Sequence, residues 1–160
     1  MLTITADDRH VLSLRIGRGG GGRQIGPVLG RSAPGDSAHP LLGVVITQMR
    51  DWFAGARQTF DLPLAPLNSA EGEKLRAGIA SIPYGQTQTY GALADHIGSV
   101  ARAVGQACKT NPFPLIIPCH RVTSTSGPEF YSGGDGPRTK TWLLDFEYTH
   151  LPPGLRTRLI

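Results

Sequence analysis

Thr89-Tyr90-Gly91-Ala92-Leu93-Ala94-Asp95-His96-Ile97-Gly98-Ser99-Val100-Ala101-Arg102-Ala103-Val104-Gly105-Gln106-Ala107-Cys108-Lys109-Thr110-Asn111-Pro112 is the stretch on which the fold turns. Thr89 can N-cap a helix over Tyr90 to Ile97, and Gly98 can end it in a left-handed conformation. Ala101 to Thr110 gives a second short helix, which Asn111-Pro112 stops. Gly98-Ser99-Val100 leaves only a tight turn between the two. This spacing suits a helix-turn-helix, although any helical hairpin shares it. Charge favours a polyanion here. From His96 to Pro128 there is no Asp or Glu, yet Arg102, Lys109 and Arg121 lie within it. An ordinary solvated face fits the same charges.

Beyond the hairpin, Leu115-Ile116-Ile117-Pro118-Cys119-His120-Arg121-Val122 reads as an apolar, strand-like run closed by proline and followed at once by a thiol. The thiolate is the reactive form of cysteine, and nearby cations lower its pKa. A neighbouring histidine can take the thiol proton, directly or through water. Upstream, Ser69 with Gly72 and Glu73 can start a helix running to about Ser81, and Tyr84-Gly85-Gln86 reads as a turn. Phe60-Asp61-Leu62-Pro63-Leu64 reads as an edge strand, and Ala65 to Ser69 as a linker. The expected division is therefore residues 1–66 and 67–160. In the first part, Leu2, Ile4 and Ala6 alternate with polar residues as in a strand. Val11, Leu12, Leu14 and Ile16 suggest a second strand. Leu41, Leu42, Val45, Met49, Trp52 and Phe53 follow helical spacing, with Gly55 at the helix end. Gly19 to Gly22 reads as a turn, because no Lys-Ser or Lys-Thr pair follows to make a phosphate loop. Arg31 to Pro40 reads as a loop.

The chain has 160 residues, a net charge of +4 and only two cysteines, Cys108 and Cys119. Two thiols exclude a disulfide scaffold and an all-cysteine zinc site. His10, His39, His96 and His150 are scattered, so no metal is expected. The longest apolar stretch near the start, Leu41 to Ile46, is far short of the ~20 residues a membrane span needs. Nor do the first residues read as a leader. A cytoplasmic setting, in which cysteines stay reduced, is the expectation.

Pro118-Cys119-His120-Arg121-Val122 matches the active-site pentapeptide of the O(6)-alkylguanine-DNA alkyltransferases, and the surroundings match in order. Ile82-Pro83-Tyr84-Gly85 resembles the family's turn before the helix-turn-helix. Thr89 to Ala94 resembles its first helix, Arg102-Ala103-Val104-Gly105 its recognition helix, and Asn111-Pro112 its hinge. Tyr131-Ser132-Gly133-Gly134 resembles the loop that closes the pocket. Trp142-Leu143-Leu144 followed by Glu147 resembles the closing helix. The resemblance covers about residues 45–148, and residues 1–40 match loosely. It implies a divergent, ribonuclease-H-like α/β N-terminal domain. A mainly α C-terminal domain with a winged-helix-like helix-turn-helix would follow.

By that resemblance the protein would move an alkyl group from the guanine oxygen onto Cys119, once per molecule, with no cofactor. His120 would draw off the thiol proton through a water, and Glu147 would orient His120. Asn111 would hold the turn beside the site, and the Tyr90 hydroxyl would help neutralise the leaving guanine. The partner would be double-stranded DNA, entered from the minor groove, with the lesion flipped out. Arg102 would fill the gap, and Ala103 and Gly105 would allow close approach. Tyr90, Gly91, Lys109 and Thr125 would meet phosphates. The Ser132 N–H and the carbonyls of Cys119 and Val122 would read the base in a pocket that includes Tyr131 and Gly133. A monomer needing no protein partner is expected. Cys108 is read as a small core residue.

Two departures stand out. The family usually carries aromatics on the helix before Ile82, and Ala70 to Arg76 has none. The segment from Gly98 to Arg102 is also about two residues shorter than is common. Two other readings use the same residues. Alkyltransferase-like proteins bind lesions but lack the acceptor cysteine, which Cys119 argues against. A Cys-His hydrolase has no support beyond the adjacent pair.

Overall fold

The computed structural model describes residues 2–17 and 39–156. The expected glycine turn at 19–22 and residues 31–38 of the loop expected over 31–40 lie outside them, and Pro40 already belongs to a helix. The chain begins with an antiparallel hairpin, β1 (Leu2–Ala6) and β2 (Val11–Ile16), closed by Asp7, whose carboxylate accepts from the Arg9 and His10 amides. Val11 and Leu14 turn inward and are fully buried, while Leu12 and Arg15 face out. Helix α1 (Pro40–Phe53) follows, with Pro40 in its first turn, where its missing N–H costs nothing. Val45, Met49 and Trp52 form its buried stripe. Gly55 ends it at φ +73, where a Cβ would stand 2.2 Å from the His150 ring.

Helix α2 (Ala70–Ala80) starts where Ser69 Oγ accepts from the Gly72 amide at 3.0 Å. No aromatic anchors it. Arg76 fills that role instead: it pairs with Glu73, donates to the Ala65 carbonyl at 2.8 Å and lies 5.8 Å from the Phe113 ring centroid. A short strand β3 (Gln88–Thr89) leads into α3 (Tyr90–Ile97). Thr89 Oγ1 accepts from the Ala92 amide, and Gly98 ends α3 at φ 61, ψ 51. Gly78 lets α2 approach α3, since a Cβ there would meet Ile97 at 2.8 Å. After the three-residue turn comes α4 (Ala101–Lys109). The last long helix, α5 (Pro137–His150), packs on α1 through aromatics, with Trp52 stacked 4.9 Å from Phe146.

Residues 60–64 do not form a strand. A single bridge joins Leu64 to Val11, because Pro63 has no N–H and contributes only its carbonyl, which accepts from the Val11 amide at 2.7 Å. Ala65 N–H donates back to the Val11 carbonyl at 2.9 Å. One buried cluster runs across residue 66, joining Val11, Leu14 and Trp52 to Leu93, Val104 and Leu143. The architecture among the described residues is mixed: helices with two small sheets.

Candidate active site

Cys119 is held by what precedes and follows it. The run before it is a turn, not a strand. Pro114 and Ile117 bridge, and Leu115 sits between them at φ 75. Pro114 and Pro118 remove two amide donors that a ladder would need. A bulky residue in the left-handed region is strained, and burial of Leu115 to 2% exposure holds it there. Cys119–Arg121 then form one 3-10 turn, and β4 (Val122–Thr123) pairs in parallel with β3. The nucleophile is thereby tied directly to the start of the helix-turn-helix.

Asn111 ties the hinge to the thiol. Its Nδ2 donates to the Ile117 carbonyl at 2.9 Å and to Cys119 Sγ at 3.2 Å, while its Oδ1 accepts from the Phe113 amide. Cys119 is 5% exposed, and burial pushes its thiol pKa up; the Asn111 donor and the Lys140 ammonium work against that rise. His120 is fully buried, and burial lowers its pKa despite the adjacent carboxylate, so the ring is neutral near pH 7. Its Nε2–H donates to Glu147 Oε1 at 2.8 Å. That leaves Nδ1 as a buried acceptor with no partner in the chain, the form a base needs. Burial alone would raise the Glu147 pKa, but His120 and Arg121 hold it down to about 2.

Arg121 does not serve the thiol, contrary to the expectation from its position beside it. The 3-10 turn sends it the other way. Its Nε and Nη2 donate to Glu147 at 3.0 and 2.9 Å, its Nη1 donates to the Ile82 carbonyl at 2.7 Å, and it lies over the Tyr84 ring. The Gly85 amide adds a fourth donor group to Glu147 at 2.9 Å. The cation that acts on the thiol is Lys140, which the sequence reading missed. It is fully buried and lies over the Tyr90 ring, and its Nζ donates to the carbonyls of Val122 at 2.6 Å and Phe130 at 3.0 Å. Lys140, Leu143 and Glu147 share one face of α5 at i, i+3, i+7, the one signal that could have found it.

Cys119 opens into a cavity of about 710 Å³. Tyr90, Arg102, Gly105 and Lys109 line it from α3 and α4, and Tyr131 and Ser132 from the loop. Burial, then Cys108 and Cys119, lift the Tyr90 hydroxyl to about 12, so it stays protonated. Other expected site residues lie elsewhere. Ala103 turns toward α2 and lines a separate groove of about 300 Å³ with Leu75 and Asn111, because it sits on the opposite face of α4 from Arg102 and Gly105. The Val122 carbonyl is taken by Lys140. Gly133 lies beneath the Tyr131 ring. Gly91 is exposed at the start of α3, and Thr125 is exposed at the tip of the turn between Ser124 and Gly127. Cys108, expected as core filler, lines the cavity, and burial raises its pKa to about 12. Phe130 lines it too and is 65% exposed at its mouth.

A buried thiol, backed by a neutral histidine and a charged glutamate and framed by a helix-turn-helix with cations at its edge, defines a DNA-binding protein with a nucleophilic cysteine. Comparison with known proteins narrows this class. Residues 73–149 match the family described as 6-O-methylguanine DNA methyltransferase, DNA binding domain. The constitutive methylated-DNA–protein-cysteine methyltransferase of Bacillus subtilis is 36% identical over 68% of this chain and 67% of its own length. Its counterpart in Mycobacterium tuberculosis is 38% identical over 69% of this chain and 67% of its own. The crystal structure of Mycobacterium tuberculosis OGT in complex with DNA superposes with a TM-score of 0.74 at 32% identity. It covers 97% of this chain and 91% of that one. The chain belongs to the methylated-DNA–protein-cysteine methyltransferase family.

Proposed function

We propose that this protein repairs O(6)-alkylguanine in DNA by direct reversal, moving the alkyl group irreversibly onto its own Cys119. The observation that carries the reading is the set of contacts around the thiol. Cys119 Sγ sits at the wall of an open cavity, accepts from Asn111, and is followed in the chain by a His120 whose free Nδ1 is backed by Glu147. A water on Nδ1 would carry the thiol proton to the ring, since such buried polar gaps suit a bound water. The resulting imidazolium is stabilised by Glu147. The thiolate then attacks the alkyl carbon in line, and the thioether stays, so each molecule acts once. Burial disfavours a standing thiolate, so deprotonation belongs to the reaction itself.

The duplex enters from the minor groove in this reading, with α4 in the groove and Arg102 in the place of the flipped base. Tyr90, Gly91, Lys109 and Thr125 contact the backbone, and the Ser132 amide meets the guanine oxygen. The protein acts as a monomer in the cytoplasm, without an organic cofactor. Its N-terminal part is a divergent ribonuclease-H-like fold, and its helix-turn-helix is of the winged-helix type. Incubation with a duplex carrying O(6)-methylguanine tests the reaction by mass spectrometry. One added methyl on the peptide holding Cys119, absent in Cys119→Ser, is expected. Tight lesion binding with no mass gain, or repeated turnover, would overturn it.

A further inference from the structure

Tyr131 lines the cavity and carries an unused donor. Its Oη is buried and has no hydrogen-bond partner in the chain. Among the described residues with such an orphaned side-chain atom, Tyr131 alone lines the cavity around Cys119. The ring's place is built. Gly133 has no side chain, and a Cβ there would stand 2.9 Å from Tyr131 Cε1 and 3.3 Å from its Oη. The loop is pinned on both sides of the ring: Lys140 Nζ donates to the Phe130 carbonyl at 3.0 Å, and the Gly134 amide donates to the Ile16 carbonyl at 2.9 Å. Cys119 Sγ takes its side-chain hydrogen bond from Asn111 and none from Tyr131. Burial, with the two thiols nearby, raises the phenol pKa well above its ordinary value, so at neutral pH the group stays protonated and can donate. A fixed donor beside the thiol, not spent on the nucleophile, is suited to charge that appears only during reaction.

We propose that Tyr131 is a catalytic residue of the transfer: its O–H donates a hydrogen bond to the purine oxygen as the carbon–oxygen bond breaks. This rests on the alkyl-transfer reading above. The Cys119 sulfur forms its bond to the alkyl carbon, and the electron pair of the carbon–oxygen bond stays on the purine. The thiol proton, taken through water by His120, finally replaces the alkyl group on the base. Tyr131 keeps its own proton throughout and stabilises the oxygen while it is negative.

The test is Tyr131→Phe, which keeps the ring over Gly133 and removes the hydroxyl. Transfer from O(6)-methylguanine in duplex DNA is expected to slow by ~10- to 100-fold. The loss should be smaller for O-alkyl heterocycles with more acidic leaving oxygens, giving a steeper dependence of rate on leaving-group pKa. Alkylation of Cys119 by iodoacetamide, whose iodide leaves without such help, should be unchanged. An undiminished methyl transfer overturns the proposal. So does an equal loss for every leaving group, iodoacetamide included, which would mark a structural role. If the unmutated protein is alkylated by iodoacetamide but never by alkylguanine, the parent reading has failed and the proposal falls with it.

Discussion

Replacing Glu147 by glutamine keeps the side chain's shape and removes its charge. The carboxylate is fully buried and accepts from His120, from Arg121 twice over, and from the Gly85 amide. Glutamine leaves Arg121, itself 6% exposed, as a buried cation with no counter-charge. Breaking such a pair costs about 3–5 kcal/mol. The pKa offers a second route to the magnitude. A carboxyl held at about 2 instead of 4.5 has its charged form favoured by about 3 kcal/mol at 1.36 kcal/mol per unit. Because the folded-state pKa is lowered, this stability is fully present above pH 4.5 and is lost as pH falls through about 2. Urea unfolding at pH 7 should therefore find Glu147→Gln less stable by about 3 kcal/mol, and at pH 3 by only about 1 kcal/mol. Adding Arg121→Met should recover much of the loss at pH 7. A difference below about 1 kcal/mol at pH 7, or one that does not shrink with acid, would refute the assignment of Glu147 as the charged hub of the site.

Three further outcomes are expected. Arg102→Ala should weaken repair of duplex DNA far more than reaction with free alkylguanine base; equal losses in the two rate assays would remove its role in base flipping. In Lys140→Met, the pH dependence of iodoacetamide labelling at Cys119 should move to higher pH, since the ammonium favours the thiolate; an unmoved profile would show that Lys140 only anchors the loop. Gly55→Ala should cost about 2 kcal/mol or more in urea melts, because φ +73 and the His150 ring both oppose a side chain there.

Much of the helical frame was legible because its signals are local. Ser69, Thr89 and Gly98 do their capping within four residues of themselves, so their chemistry can be read without the rest of the chain. The turn at Leu115 could not be read that way. An apolar run looks like a strand until two prolines and burial hold one residue in a left-handed conformation. Residues 60–64 misled for a related reason, since Pro63 permits only half of a ladder rung. At the site, the pentapeptide located Cys119 and His120 but not the direction of Arg121. Adjacent residues in a 3-10 turn point different ways, and the backbone decides which side chain meets the thiol. Lys140 was hidden because a lysine in a helix reads as solvated, and only the packed loop shows its ammonium spanning two carbonyls. Ala103 turns away from its expected place because a helix face is fixed by what packs on it, while Cys108 packs against the core as expected and also borders the cavity.

Strand β2 has hydrogen bonds to three segments distant in sequence. Val11 is bracketed by Pro63 and Ala65, Leu14 N–H donates to the Pro112 carbonyl at 2.8 Å, and the Ile16 carbonyl accepts from Gly134. The hinge that places Asn111 and the loop that carries Tyr131 are thus both laced to one strip near the amino terminus. Melting should then be cooperative across residue 66, with a single transition instead of two. The Val11 and Leu14 amides should exchange with solvent as slowly as those at the centre of α5, since freeing them requires opening the whole molecule.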